Sequence, residues 1–305
     1  MLARLQQGLA LAWLLACLLW PASLWQQQRP VAAVAALLTL LFGHALWLGI
    51  THVAAWWSNR GDAGAQASGR EWLRAWWGEC LTAPRVFFWR QPFAHRRQPD
   101  RLVPAPGQPG VLLLHGYFCN RGLWNPWLER LNAHQVPCVA LSLSPVFGSI
   151  DDMLAPVEAA VRELEAVTGV PPLIVAHSMG GLVARAWLRL QPGHARRVRA
   201  VMTIGTPHGG TGLARLAFSR NGVQMQRGGA WLQALAASEG PALAARFHCL
   251  YGLCDNIVFP ARTAVLPGAA EVVALRGVAH VDLVETPQAW AMAWRLLGRS
   301  PADQG

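Results

Sequence analysis

At 305 residues, with 53% hydrophobic and 14% charged residues, the chain is too apolar to be disordered. It is also too poor in charge for an ordinary soluble domain, which carries about 25% charged residues. Its 26 basic residues, all arginine, give a net charge of +10; without zinc-finger spacing, an RNA-binding signature or a long basic run, nucleic acid is excluded as a partner and a membrane surface is favoured.

Two apolar segments open the chain, residues 9–25 (LALAWLLACLLWPASLW) and 31–57 (VAAVAALLTLLFGHALWLGITHVAAWW), separated only by QQQRP. The spacing predicts a transmembrane helical hairpin over residues 1–57. The second segment is long enough to cross a bilayer, which takes about 20 residues; the first is marginal, and Pro21 is expected to shorten it. A signal peptide is the rival reading of the first segment, although no convincing small-residue cleavage site follows it. Trp25, Trp56 and Trp57 fall where interfacial aromatics anchor helix ends. His44 and His52, eight apart, share a face of the second segment and read as packed histidines.

Residues 58–108 change character. SNRGDAGAQASG has the composition of a flexible linker, and the stretch after it alternates arginine with large aromatics. Within it, residues 71–81 form either an amphipathic helix in the headgroup region or a Trp-rich core helix. The six cysteines contain no CxxC pair, so no metal or redox motif is present, and scattered buried thiols suit a reducing compartment.

RLVPAPGQPG marks a boundary, and a strand–helix alternation fills residues 109–300. Apolar strands are expected at 111–114, 136–143, 173–176, 198–204, 246–253 and 271–275. Helices are expected at 151–168 (stopped by Gly169), 182–190 and 287–297. This pattern predicts an α/β fold, a mostly parallel sheet with helices on both faces, preceded by the membrane hairpin.

In such a sheet, ligands bind at the carboxyl ends of the strands. IVAHSMGGLVAR places Ser178 there, on a strand-to-helix turn, with Ala176 and Gly180 as the small neighbours that such an elbow needs and alanine in place of the usual first glycine. Gly181 then lets the helix approach the sheet. With HG ending an earlier strand and TIGTPHGGT following, AHSMGG resembles the bacterial lipases and esterases of the α/β-hydrolase superfamily over about residues 109–297.

That resemblance implies a serine nucleophile activated by a histidine that an acid orients, in the chain order serine, acid, histidine. YGLCDNIVFP puts Asp255 after a strand, and VVALRGVAHVDLVETP puts His280 after the last one, so the resemblance implies Ser178, Asp255 and His280. Asp282 and Glu285 are rival acids but lie too near His280 along the chain. His177, beside Ser178 in the elbow, should point away from the hydroxyl. The backbone N–H of Met179 is one oxyanion donor; the resemblance favours Tyr117 over Phe118 for the second, with Gly116 turning the backbone. His115 and His208 read as structural, bonding loop backbone.

The segment 211–246 is where a lid would lie, and GVQMQRGGAWLQALAA has either a lid's apolar face or an ordinary packed helix. The chemistry needs neither metal nor cofactor. These features imply a membrane-anchored serine esterase or lipase acting on a lipid-like or other apolar ester; an acyltransferase sharing the acyl-enzyme, or a catalytically dead membrane module, are the alternatives. Arg4, Arg60, Arg70 and Arg74 against Arg29 alone in the hairpin loop place the hydrolase on the cytoplasmic side of a bacterial inner membrane.

Overall fold

A computed structural model of the protein describes residues 1–191 and 193–299. Six strands, β1 (Val111–Leu114), β2 (Cys138–Ala140), β3 (Leu173–His177), β4 (Ala200–Ile204), β5 (Phe247–Gly252) and β6 (Glu271–Leu275), form one sheet in the order β2-β1-β3-β4-β5-β6. Every pairing is parallel. Strands β1 to β4 are buried throughout and, His177 and Thr203 apart, apolar, because helices cover both faces.

On one face Leu112, Leu114, Ile174, Ala176 and Val201 pack against the helices Leu154–Thr168 and Met179–Arg189. On the other, Val111, Leu113, Val175, Met202 and Ile204 meet the helices Asn125–Ala133 and Pro287–Leu296. Gly169, left-handed at φ 70°, ends the first of these helices as expected. The strand expected at 136–143 shortens to β2, the three residues Cys138 to Ala140 that pair in register with β1. The strand order reverses between β1 and β3, so the loops after them flank a crevice at the carboxyl edge, the usual place for a ligand in an open parallel sheet.

The two apolar segments are helices α1 (Leu2–Gln26) and α2 (Pro30–Asn59), both long and apolar enough to cross a membrane. α1 does not stop at Pro21 as expected. Proline forfeits one helical N–H bond, and the chain carries the helix past it to Gln26. The hairpin closes on small residues, Ala10, Ala33 and Ala36, which let the backbones approach. Trp13 adds a hydrogen bond from its Nε1 to the Leu40 carbonyl. His44 and His52 each bond a carbonyl of their own helix, Leu41 and Leu48.

Both open ends of the hairpin are seated on the sheet domain. At the start of α1, Gln6 donates to Gln91 and to the Phe118 carbonyl, and Gln7 donates to the Pro92 carbonyl. At the end of α2, Asn59 donates to the Leu253 carbonyl and accepts from the Ala261 N–H, while Thr51 accepts from Asn256. The segment with a flexible linker's composition is packed down too. Asp62 caps a short turn, and Ala65 is fully buried among Tyr251, Leu253 and Val258. Small residues that loosen a free chain also allow close packing, and here they do the second.

Helix α3 (Gly69–Pro84) starts at a capping box between Ser68 and Glu71. It buries Ala75, Glu79 and Thr82, at i, i+4 and i+7, and leaves Leu73, Trp77 and Leu81 exposed. The chain continues through a wide helical turn, Arg85–Arg90, that also bares Phe88 and Trp89.

Candidate active site

Ser178 follows β3 directly and holds φ 54° and ψ −127°, a conformation that a non-glycine residue keeps only when its surroundings enforce it. They do. Its N–H donates to the Ile204 carbonyl at 2.8 Å, and its carbonyl accepts from the Thr206 hydroxyl at 2.8 Å. The helix Met179–Arg189 leaves the turn so tightly that a Cβ on Gly180 would stand 2.5 Å from the Leu114 carbonyl oxygen. Ala176, two residues before the serine, is fully buried under the same turn.

The expected reason for Gly116 needs correcting. A Cβ there would lie 2.8 Å from the Ser178 Cβ, so the glycine serves close approach. The left-handed backbone that turns this loop falls on Phe118, at φ 54°. Tyr117 stands between them, and its hydroxyl accepts from Ser219 at 3.1 Å. Met179 opens the elbow helix, where the first N–H groups have no partner within the helix.

Asp255 and His280 meet as the sequence predicts. The ring Nδ1 of His280 lies 2.8 Å from Oδ2 of Asp255, and Oδ1 of Asp255 accepts the N–H groups of Ile257 and Val258, both at 2.8 Å. With three acceptor bonds the carboxylate is fixed, and it fixes the tautomer: Nδ1 carries the proton and Nε2 is left as the ring's acceptor. Burial disfavours the imidazolium of His280, but the charge and hydrogen bond of Asp255, with Glu79 behind them, outweigh it. The ring therefore titrates above its ordinary 6.5.

The other histidines have structural partners. His177 sits with its ring centroid 4.6 Å from that of His280 and its Nε2 3.2 Å from the His280 carbonyl. Burial, reinforced by His280, holds it neutral. His115 accepts from the Leu143 N–H on Nε2 and bonds the Gly116 carbonyl through Nδ1, and burial pulls it down to about 4. His208 departs from expectation: its ring meets the Thr203 hydroxyl rather than backbone, and its own carbonyl accepts from Arg185. The rival acids are engaged elsewhere. Asp282 accepts from Thr82, and Glu285 pairs with Arg90.

Above Ser178 lies a cavity of about 300 Å³ with almost wholly apolar walls. Tyr117, Ile257 and Val258 line one part, and Leu213, Leu216 and Phe218 another. Trp47, from the middle of α2, completes the wall. A larger cleft lined by Arg185, Arg227 and Arg262 does not include Ser178. In the 211–246 segment the helix Ala230–Ala237 is packed, with Leu232 and Leu235 buried. The bare apolar side chains precede it: Leu216 is 71% exposed and Phe218 97% exposed.

Four residues of this neighbourhood escaped the sequence reading: Trp47, Thr51, Glu79 and Asn256. Only Glu79 left a signal, as a carboxylate on the buried stripe of an amphipathic helix, where an acid needs a partner.

A family model for the alpha/beta hydrolase family matches residues 111–302. A search of curated proteins gave no match. Among solved structures, the mature form of Bacillus licheniformis lipase BlEst2 is similar at 19% identity and a TM-score of 0.55, over 66% of this chain and 96% of that one. Aspergillus fumigatus lipase B is similar at 19% identity and a TM-score of 0.56, over 64% of this chain and 53% of that one. Identities this low speak for the shared fold alone. With the elbow at the switch point of a six-stranded parallel sheet and the family match spanning residues 111–302, the chain belongs to the alpha/beta hydrolase family.

Proposed function

We propose that the protein is a membrane-anchored serine hydrolase that cleaves carboxylic esters of apolar acyl chains. The observation that carries this reading is the cavity itself: apolar, floored by Ser178 and walled by a residue of the hairpin. An acyl chain fits such walls, and the ester carbonyl then sits over the serine. His280 takes the hydroxyl proton through Nε2 as Ser178 attacks, and Asp255 steadies the resulting imidazolium. The N–H groups of Met179 and Tyr117 receive the negative charge that develops on the carbonyl oxygen. His280 returns its proton to the leaving alcohol, an acyl-enzyme remains, and water attacks it by the same route. The lipase names of the two similar structures agree with this chemistry.

Helix geometry supports the anchor. Pro30 to Trp47 covers about 26 Å at 1.5 Å per residue, close to the hydrocarbon thickness of about 30 Å. With the QQQR loop at one face of the bilayer, Trp47 and the cavity mouth come to the other. Leu73, Trp77, Phe88 and Trp89 offer apolar side chains for the same interface. A lipid ester could then pass its acyl chain into the cavity without leaving the bilayer wholly.

A fluorophosphonate probe tests the chemistry. Full-length protein in lipid vesicles should label at Ser178 and should hydrolyse p-nitrophenyl esters with a preference for longer acyl chains. Failure to label would end the hydrolase reading.

The seating of Gln6 and Gln7 on the domain supports a shared side for the amino terminus and the hydrolase, and the arginine balance favours the cytoplasm as that side. A fluorescent protein fused after Gly305 should be bright in bacterial cells, and alkaline phosphatase fused there should be inactive. Active phosphatase with a dark fluorescent fusion would reverse the orientation.

A further inference from the structure

The candidate triad uses two titratable groups, yet a third lies buried behind them. Glu79 sits on α3, outside the segment matched by the family, and is 2% exposed. Its carboxylate accepts the Val281 N–H on both oxygens, at 3.2 and 3.1 Å, and the Asp282 N–H at 3.2 Å. These are the two residues directly after His280. On the next turn of α3, Thr82 donates to Asp282, and Gly78 leaves the space that the Asp282 carboxylate occupies. Farther along, Arg90 pairs with Glu285. The backbone of His280 is held from a second side, since its N–H reaches Oδ1 of Asn256, whose amide donates to Thr51 on α2.

A buried carboxylate is costly unless its surroundings use the charge. Here two N–H groups and a histidine do. We propose that Glu79 is a positioning residue for His280: a second carboxylate, supplied by the membrane-proximal helix, that fixes the loop bearing the base and favours its charged form during turnover. The proposal rests on the hydrolase reading, because it assigns Glu79 to the base of that mechanism.

The charged neighbours act in opposite directions. Burial pushes Glu79 up to about 7, with Asp282 adding to the rise, while His280 and the two N–H bonds pull it down. Arg74 and Arg85 face Asp282, and Glu285 lies beyond it. Around His280 stand Asp255, Glu79 and the neutral ring of His177. Glu79 thus gains its charge near neutral pH, and wherever it is ionised that charge is one of the supports for the imidazolium, which a neutral side chain there removes. Its removal lowers the pH at which His280 titrates, and it lowers the stabilisation of the charged ring in the transition state.

The test compares wild type with Glu79→Gln and Glu79→Ala in the full-length protein in detergent micelles. The His280 titration is followed by NMR of ¹⁵N-histidine-labelled protein, its signal assigned by loss in His280→Asn. Glu79→Gln keeps an oxygen acceptor and should lower the His280 midpoint by about half a pH unit or more. The acid limb of kcat/KM should move down by the same amount, with kcat reduced several-fold and KM little changed. Glu79→Ala should show the same shift with a larger fall in kcat, since the loop also loses its acceptor. An unshifted midpoint and acid limb in an active, folded Glu79→Gln protein overturns the proposal. Wild type that neither turns over esters nor labels with fluorophosphonate overturns the parent reading, and the role of Glu79 falls with it.

Discussion

Ser178→Ala should reduce ester hydrolysis by at least about 10³-fold, because members of a triad act as a unit and the remaining groups cannot supply a nucleophile. The fold should survive. Alanine removes one oxygen, adds no atom to the crowded elbow, and is no less suited than serine to the enforced φ of 54°. The two hydrogen bonds that hold the turn use the backbone of residue 178, not its hydroxyl. The measurement is initial-rate hydrolysis of a p-nitrophenyl ester, with near-ultraviolet circular dichroism to show that packing is retained. Turnover persisting above about a hundredth of wild type would move the nucleophile elsewhere, given the losses that such deletions cause in related mechanisms.

Asp255→Asn is expected to be severe as well, on the order of 10⁴-fold in kcat. Asparagine fits the space, but the bonds reverse. Oδ1 of Asp255 accepts two N–H groups, so an amide there keeps its oxygen toward Ile257 and Val258 and turns its NH₂ toward His280. The ring must then accept on Nδ1 and carry its proton on Nε2, where it cannot take one from serine. Asp282→Asn should cost far less, because its carboxylate answers Thr82 and not the ring. A steady-state comparison of the two variants checks the ranking, and the reverse order would transfer the acid role to Asp282.

Much of the sheet was legible because its code is local. Strand β1 is four apolar residues in a row, β6 lies where an apolar run was expected, and β3 runs one residue past its expected end, to His177. The elbow could be read because two backbones that nearly touch admit only small residues, and Ala176, Gly180 and Gly181 flank Ser178 closely in the chain. Asp255 and His280 each followed a strand, which placed them at the same edge.

What was not legible depends on partners far along the chain. Nothing near Thr51 says that it will meet Asn256, and nothing near Asn59 says that it will bond Leu253 and Ala261. The 58–69 stretch reads as flexible by composition because Gly, Ala and Ser are equally what a tight packing interface uses. The exposed Leu216 and Phe218 were missed for a different reason. They lie in a short turn with no periodicity, while the periodic helix that drew attention is packed into the core.

The seating of both hairpin ends on the sheet domain has a consequence for biosynthesis. α1 and α2 leave the ribosome before the sheet, and their partners come late: Gln6 waits for Phe118, 112 residues on, and Thr51 waits for Asn256, 205 residues on. At roughly 5–20 residues per second the second delay lasts about 10–40 seconds, ample time for an apolar hairpin to reach a bilayer. The sheet then forms against helices made well before it, and the loop after His280 finds Glu79, 202 residues before Val281, already waiting. Assembly in that order makes the seat of His280 depend on segments made long before it, so a chain whose early helices fail to pack is also one whose loop at 280 is held from fewer sides.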